Sequence, residues 1–536
     1  MGPFRLGDSL VGELARTVDV AARLGAFDPF LTAARTTAVA RWGAGISAMV
    51  AGNATRFPNR IAIADADGEI NYATVDRHAS NVGCHLRRLV GDRAGNGAVG
   101  ILCRNHRGFL VAQIAAERAG ADLVLLSTAL PAPKLAEVAE REQLAVLVVD
   151  EEFRAVVEAA GLDLEVVAAE GDGPGSLADL ATSPGTCPAP RRRSRLVLLT
   201  SGTTGPPKGA RRHNQAPGPE VLGMFAQVPY RLGDQYLVGP PLFHAWGLSQ
   251  ATTALATAST VHLRPRFDVD ETLSILRQRP IDVLAVVPLM LRRLLRAATD
   301  RADIQAPRLV LSSGNVLSGD LALEWMDAFG DRLYNFYGST ETAIGTIALP
   351  ADLRHAPGTV GRPPRGVTIG ILDHENMPVP AGTLGRVHLA SRMQFAGYTD
   401  GTDRERAGTL MATGDLGYFD VDGLLHVEGR VNDMIVTGGE NVFPSRVEEV
   451  LEQNPDVEMA AVVGVDDEDY GQRVVAFVVP RPKATIDVTD LLAGAALELQ
   501  SFKVPREVRI VDSLPMTTTG KVVRHRLAVL GEAERV

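Results

Sequence analysis

The sequence predicts an α/β protein: a large N-terminal domain of parallel sheets covered by helices, carrying a small β-subdomain, followed by a smaller C-terminal α+β domain. Three observations predict it. Short β-branched runs alternate with helix-period segments from about residue 59, the pattern shifts to short strands and turns between 358 and 430, and a compact mixed unit follows from about 431. Strand–helix alternation is the signature of a sheet whose neighbours are joined by helical crossovers. A chain of 536 residues also has room for several core units.

The elements follow in order. Residues 1–58 read as a helical segment, with Leu10, Leu14, Val18, Ala21 and Leu24 at three- to four-residue spacing. Its polar face is mixed rather than Lys/Arg-rich, which favours a packed helix over a membrane-surface one. The string LGDSL at 6–10 resembles a carrier-protein attachment site and a GDSL-hydrolase serine. No helical segment precedes it and no Ser/Asp/His set at hydrolase spacing follows, so Ser9 reads as a helix N-cap. IAIADADG, AVGILCRN and ADLVLLST read as buried strands, with helices at 75–90 and 107–119 between them. Residues 170–194 form a Gly/Pro/Ser-rich connector, and alternation resumes through roughly 350. VTIGILD, GRVHLA and GLLHVEG mark the β-subdomain. The last unit is expected to hold helix 445–454, strands 459–465 and 473–479, helix 488–501 and strand 506–511. The expected divisions are therefore 1–58, 59–430 and 431–536.

Composition narrows the function classes. Hydrophobic residues make up 46% and charged residues 22%, as in a globular protein with ample core material. A net charge of −10 disfavours wholesale nucleic-acid binding. Cys84, Cys103 and Cys187 show no CxxC or Cys/His spacing and read as reduced thiols. The N-terminus carries Arg5, Asp8, Glu13 and Arg16 where a secretory signal needs an apolar run. No stretch reaches the roughly 18–20 apolar residues of a membrane span, so a cytoplasmic protein without integral membrane association is expected.

RLVLLTSGTTGPPKGA at 195–210 carries the strongest chemistry. A buried strand runs into a loop of Thr200, Ser201, Gly202, Thr203, Thr204, Gly205 and Lys208. Glycines admit a polyanion close to the backbone, hydroxyls donate to its oxygens, and the lysine adds charge. Pro207 and Gly209 flank Lys208, so this is not the Walker loop, which needs Gly before the lysine and Ser/Thr after it.

TSGTTGPPKG is similar to the phosphate-loop signature of the adenylate-forming superfamily, which includes acyl-CoA synthetases, peptide-synthetase adenylation domains and luciferases. YGSTE at 337–341, TGDLGYFD at 413–420, GRVNDMIVTGGENVFPSRVE at 429–448 and PMTTTGK at 515–521 match the other motifs in order. The resemblance runs from about 50 to 530 and looks most like bacterial fatty acyl-CoA synthetases. It implies ATP, Mg²⁺ and coenzyme A as reactants or cofactors, a carboxylic acid as substrate, and a C-terminal domain that rotates between two half-reactions about Asn432, where relatives usually carry Asp or Lys. It leaves a homodimer open.

Residue by residue, the resemblance implies that Tyr337 stacks on adenine, that Gly338 and Ser339 belong to the same nucleotide-binding turn, that Thr340 contacts the α-phosphate, and that Glu341 holds Mg²⁺, a hard cation suited to carboxylate oxygen. Asp415 and Arg430 look like the ribose pair. Lys521 is implied to reach the reacting carboxylate and α-phosphate, neutralising charge without reacting itself. Gly438, Gly439 and Glu440 match the segment that enters the site for thioester formation. In PPLFHAWGL, peptide-synthetase domains usually place Asp after the Phe to pair an ammonium. His244 follows Phe243 here, which favours a plain acid. Phe243, His244, Trp246, Gly247 and Asn315 are expected to line the acyl pocket and Gly314 to bind the nucleotide; Gly314 and Asn315 lie in SSGNVLS, which departs from the usual SGGAPL-like loop. Transfer to a carrier-protein thiol or an amine, and a non-catalytic ATP- or acyl-binding protein on the same scaffold, are the rival readings. No GxGxxG follows a strand, which disfavours a dehydrogenase.

Overall fold

The computed structural model describes residues 10–91, 97–185, 187–200, 208–213, 218–298, 301, 303–517 and 520–532. Ser9, the expected N-cap, lies outside them. The N-terminal segment forms three helices, Leu10–Arg23, Pro29–Trp42 and Ile46–Arg56, rather than one long one. Val18 of the expected apolar stripe is 48% exposed, and Val20 turns inward instead. The inward face is set by where the second and third helices pack, which spacing along one helix does not encode. Arg118, with no exposed surface, ties this region to the body. Its guanidinium donates to Ser47 Oγ (2.8 Å), Ser80 Oγ (2.6 Å) and Asp76 (2.6 Å) and lies over the Trp42 ring, so the buried charge is paired and hydrogen-bonded.

Two mainly parallel sheets form the large domain. In the eight-stranded sheet the order runs Ala343–Ala348, Leu333–Ser339, Leu309–Ser313, Val283–Val286, Gln235–Val238, Thr260–Leu263, Ile61–Asp65, Gly68–Asn71. The six-stranded sheet runs Glu165–Ala168, Leu144–Val149, Ala98–Leu102, Asp122–Leu125, Arg195–Thr200, Lys208–His213. Only the edge hairpins are antiparallel. The inner strands bury both faces, as Ala98–Leu102 does at every position, because helices cover each side. Helices Tyr72–Val90 and Arg107–Ala119 supply Tyr72, Val75, Val82, Phe109 and Ile114 to the main core. Asn71 caps the first through Thr74 N–H, and Gly91 and Gly120 end them. The connector after residue 170 contains one short helix, Leu177–Thr182.

A five-stranded antiparallel sheet follows, built on Thr368–Leu372, Gly385–Ala390, Leu410–Phe419 and Leu425–Arg430 with the short Arg406–Ala407. The C-terminal unit is a second mixed sheet. Its long pair Val457–Asp467 and Gly471–Pro480 is flanked by the Ile435–Thr437/Glu440–Val442 hairpin and by Glu507–Ile510, and helices Pro444–Glu452, Val488–Glu498 and Arg524–Glu532 cover it. The hairpin and the last helix have no counterpart among the expected elements. Each is short, and the hairpin's apolar content is too sparse for a period to show.

Candidate active site

Open α/β sheets bind their ligands in the crevice outside the carboxyl ends of the strands, the side on which Arg195–Thr200 and Leu333–Ser339 run into candidate residues. Strand Leu333–Ser339 ends in the turn Tyr337–Glu341 and returns as Ala343–Ala348. A Cβ at Gly338 would meet Ala343 O at 1.9 Å, so only glycine fits. Ala343 itself holds a left-handed φ of 63°, a conformation costing roughly 1 kcal/mol for a residue with a Cβ. Ser339 Oγ fastens the turn by accepting from Glu341 N–H (3.2 Å) and Thr342 N–H (3.1 Å).

Glu341 is 5% exposed. Its Oε1 accepts from Tyr398 Oη (2.6 Å) and from Arg404 (3.0 Å). Burial alone pushes the carboxyl up, but the Tyr398 hydrogen bond and the Arg404 charge more than offset it, and the pKa falls below the usual range. Arg212, from the strand after the phosphate loop, donates Nε to Thr340 O at 3.2 Å. Burial draws its pKa down to about 10, against the pull of Glu341, so it stays cationic at neutral pH. A buried, ionised carboxylate is a donor set that suits a hard divalent cation.

Tyr337 Oη donates to Asp415 Oδ2 at 2.7 Å. Burial and then the Asp415 charge raise this phenol well above its ordinary value. Asp415 and Arg430 sit opposite each other across two antiparallel strands, with Nε and Oδ1 3.3 Å apart. The phosphate loop is described only at its flanks: Thr200 pairs with Lys208 across the hairpin. The Thr200 side chain and Ser201, Gly202, Thr203, Thr204 and Gly205 lie outside the described residues. Lys208 Nζ meets Thr402 Oγ1 (3.0 Å) and Asp400 Oδ2 (3.1 Å). Hydrogen bonds from Thr402, and more weakly Lys208, hold Asp400 down to about 2.

The C-terminal domain delivers Lys521 to this crevice. Gly520 (φ 76°) lies against Leu289, and its carbonyl accepts from Asn315 Nδ2 at 3.3 Å. Arg292 and Glu452 form an ion pair across the same boundary at 2.6 Å, and Gln453 donates to Asp320 at 3.2 Å. Lys521 keeps exposed surface but is partly covered by its neighbours. That enclosure lowers its pKa first and Arg430 adds to it, while Asp415, Glu341 and Asp433 oppose. His244 is held down to about 4 by burial and then by Lys521, so Lys521 and His244 face one another electrostatically.

Phe243 is buried with its ring 4.5 Å from that of His244. Trp246 donates Nε1–H to Val286 O (2.9 Å) and packs against Phe336. A Cβ at Gly247 would meet Pro241 O at 2.4 Å, which presses the helix start onto the preceding turn. Gly314 (φ 90°) opens the Asn315 loop beside Val287. Gly438 and Gly439 (φ 59° and 86°) form the exposed tip of the C-terminal hairpin with Glu440. Gly438 N–H donates to Tyr470 O at 2.8 Å, so the tip is held by its own domain. Asn432 lies in the short 3₁₀ turn Val431–Asp433 joining the two domains.

Sequence reasoning missed Arg212, Tyr398, Arg404, Asn105 and the Arg292–Glu452 pair. Asn105, 3% exposed, accepts from Leu242 N–H (2.8 Å) and donates to Pro240 O (3.0 Å), fixing the segment that leads to His244. The reading that no Cys/His spacing exists needs correction. Cys103, His106 and Asp150 place ligand-type atoms within 4.8 Å of one another. His106 Nε2 bonds Asp150 (2.8 Å) and its Nδ1 accepts from Gly108 N–H (3.1 Å), so its ring is already committed. Burial raises the Cys103 thiol well above its usual range, which makes it a poor nucleophile. A shallow depression at Pro280, Asp282 and Arg308 lies at the opposite, amino ends of the strands, away from this chemistry.

Comparisons with known proteins agree with the geometry. Residues 50–399 match the family model of AMP-binding enzymes and residues 446–521 that of the AMP-binding enzyme C-terminal domain. Feruloyl-CoA synthase of Amycolatopsis sp is 31% identical over 87% of this chain and 95% of its own length. The fatty acid–[acyl-carrier-protein] ligase ScoC of Streptomyces coeruleorubidus is 32% identical over 76% and 82%, and indoleacetate–CoA ligase of Aromatoleum aromaticum is 33% identical over 61% and 65%. ATP-bound MatB from Rhodopseudomonas palustris superposes with TM-score 0.80 at 29% identity, covering 91% of this chain and 98% of that one. The anthranilate CoA ligase AuaEII reaches TM-score 0.84 at 25% identity, covering 91% and 98%. The chain therefore belongs to the AMP-binding enzymes, the adenylate-forming superfamily that includes these acid–thiol ligases.

Proposed function

We propose that the protein joins a plain monocarboxylic acid to AMP using ATP and then passes the acyl group to the thiol of coenzyme A. One observation supports this reading: Gly520 of the C-terminal domain lies against Leu289 and accepts from Asn315 Nδ2 (3.3 Å), and the neighbouring Lys521 interacts electrostatically with Glu341, Asp415, Arg430 and His244. In the first step a carboxylate oxygen attacks the α-phosphorus in line and pyrophosphate leaves. Lys521 neutralises charge on the carboxylate and phosphate oxygens without reacting, so catalysis is positioning and electrostatics. Tyr337 offers a ring face to adenine, Thr340 a hydroxyl to the α-phosphate, and Asp415 accepts from ribose hydroxyls beside Arg430. The hydroxyls of Thr200 to Thr204 and the charge of Lys208 cradle the phosphates. Glu341 would hold Mg²⁺, which supplies charge neutralisation on the phosphate oxygens.

The acid sits toward Phe243, His244, Trp246, Gly247 and Asn315, with Gly314 on the nucleotide side. With a pKa near 4, His244 is neutral at physiological pH and offers no charge for a second carboxylate. No carboxylate follows Phe243 to hold an ammonium. Fatty and arylalkanoic acids are therefore the first members of the test panel. In the second step the C-terminal domain turns about Asn432 and brings Gly438, Gly439 and Glu440 to the site for thiol attack on the acyl-adenylate. The likeness to ScoC makes a carrier-protein thiol the second acceptor to assay.

ATP–pyrophosphate exchange over the acid panel tests the reading, with mass detection of acyl-CoA or acyl-carrier product. Lys521→Ala should cut exchange by roughly a hundredfold or more, while thioester formation from supplied acyl-adenylate survives. No exchange with any acid would leave a binding protein on this scaffold.

A further inference from the structure

Two ion pairs meet on one turn, Tyr398–Arg404. This segment is stapled to the strand that follows the phosphate loop: Thr399 N–H donates to Gly209 O (2.8 Å), and Arg211 N–H to Gly397 O (3.1 Å). The turn is closed by Tyr398 N–H to Thr402 O (3.0 Å). On one side, Asp400 takes Lys208 at 3.1 Å, and Thr402 Oγ1, which donates to Asp400 Oδ1 at 2.6 Å, accepts from the same ammonium at 3.0 Å. On the other, Arg404 reaches Glu341 Oε1 at 3.0 Å and also donates to Tyr398 Oη at 3.0 Å. The two groups so neutralised are the lysine beside the phosphate cradle and the carboxylate that would face a divalent cation.

These charges need partners while no nucleotide is bound. Glu341 in particular is nearly buried and would be costly if left uncompensated. The same partners compete with the ligand. A cation bound at Glu341 and a guanidinium on the same oxygen repel, and an anion at Lys208 repels Asp400. A turn pinned to the strand by its backbone can release its side chains without unfolding.

We propose that the Tyr398–Arg404 turn stores the counter-charges of the triphosphate site, Asp400 on Lys208 and Arg404 on Glu341, and surrenders them when a metal–nucleotide complex enters. This rests on the nucleotide reading above. Arg404 and Asp400 are positioning residues: they keep Glu341 and Lys208 ordered and then set how tightly the complex is held.

Calorimetric titration of the full chain with α,β-methylene-ATP, in Mg²⁺ and separately in EDTA, tests it without turnover. Arg404→Gln should bind the magnesium complex about tenfold tighter and the metal-free analogue no tighter, because only the metal must displace the guanidinium. Asp400→Asn should tighten both forms by roughly threefold, the smaller effect of a more exposed pair. Arg404→Lys should stay near wild type, and adding Glu341→Gln to Arg404→Gln should erase the gain. Arg404→Gln weakening both forms alike would make the guanidinium a phosphate ligand and overturn the proposal. So would binding that neither variant alters, with circular dichroism showing each variant folded. Failure of the wild type to bind either form overturns the nucleotide reading together with this one.

Discussion

Replacing Arg292 by glutamine removes the charge that joins helix Pro288–Ala297 of the large domain to the end of helix Pro444–Glu452 in the C-terminal domain. The pair is 2.6 Å apart, with side chains only 21% and 18% exposed. Glu452 is already oriented, since its Oε1 accepts from Ala460 N–H at 3.1 Å. Burial raises the Glu452 carboxyl while Arg292 pulls it back. Fully exposed pairs contribute about 0–1 kcal/mol, and hydrogen bonds to charged groups about 1.5–3 kcal/mol. This half-buried pair falls between, at about 1–2 kcal/mol. Two hydrogen bonds across the same boundary, Asn315 to Gly520 and Gln453 to Asp320, are exposed and add little. Loss of the pair should thus shift the population holding Lys521 in the crevice by roughly fivefold to thirtyfold. The two half-reactions are assayed separately: pyrophosphate exchange for adenylation, and thioester release from supplied acyl-adenylate for transfer. Exchange should fall by that factor while transfer is unchanged or faster, and Arg292→Lys should recover most of the exchange. Equal loss in both assays would show that the pair supports the fold and does not select an orientation.

Three further outcomes follow from the same geometry. Asp415→Ala removes the acceptor of Tyr337 and the partner of Arg430 and should raise the KM for ATP by roughly tenfold or more, with the KM for the acid little changed in steady-state kinetics. Asn105→Ala leaves two buried backbone groups unpaired. It should cost about 1–3 kcal/mol in urea unfolding and raise the KM for the acid more than that for ATP. Burial and Lys521 hold His244 down to about 4, whereas an unperturbed histidine titrates at 6.5. As the pH falls from 6.5 toward 4 the unfolded chain gains a proton that the folded chain refuses, a destabilisation of about 3 kcal/mol. His244→Gln should flatten the acid limb of urea stability by that amount. His262, held down to about 4 chiefly by burial, should leave a similar limb behind.

Much of the architecture was legible because it rests on local patterns. Inner strands such as Ala98–Leu102 are buried at every position and so read as unbroken apolar runs, and helix Arg107–Ala119 follows at once. The motif residues were legible because glycine, hydroxyl and charge stand together in sequence, as in Tyr337 to Glu341. What was not legible depends on residues far apart. Arg404 meets Glu341 across 63 positions and Asn105 meets Leu242 across 137, and an arginine or asparagine in a loop carries no mark of its distant partner. Cys103 and His106 are three apart, but only the fold brings Asp150 to them, and only the fold shows that the Asp150 carboxylate and the Gly108 N–H have already claimed the histidine. Val18 failed for the related reason that a helix shows its apolar stripe in sequence, while neighbouring helices decide which part is covered.

The charges around the crevice also bear on how an acid would be oriented there. Arg430 lowers the pKa of Lys521, and Lys521 in turn lowers that of His244. Three cations would repel, and each would lower the others' affinity for its proton. Burial resolves this by keeping His244 neutral above a pH of about 4, so the acyl side of the crevice is uncharged while the nucleotide side is not. On the function proposed above, an acid entering with its carboxylate toward Lys521 would keep its chain against Phe243 and Trp246, and the reverse pose would strand the carboxylate among apolar groups. A permanent cation at His244 would remove that preference. His244→Arg should therefore lower kcat for exchange and admit dicarboxylic acids, and a variant that kept the monocarboxylate preference would show that pocket shape, not the pattern of charge, orients the acid.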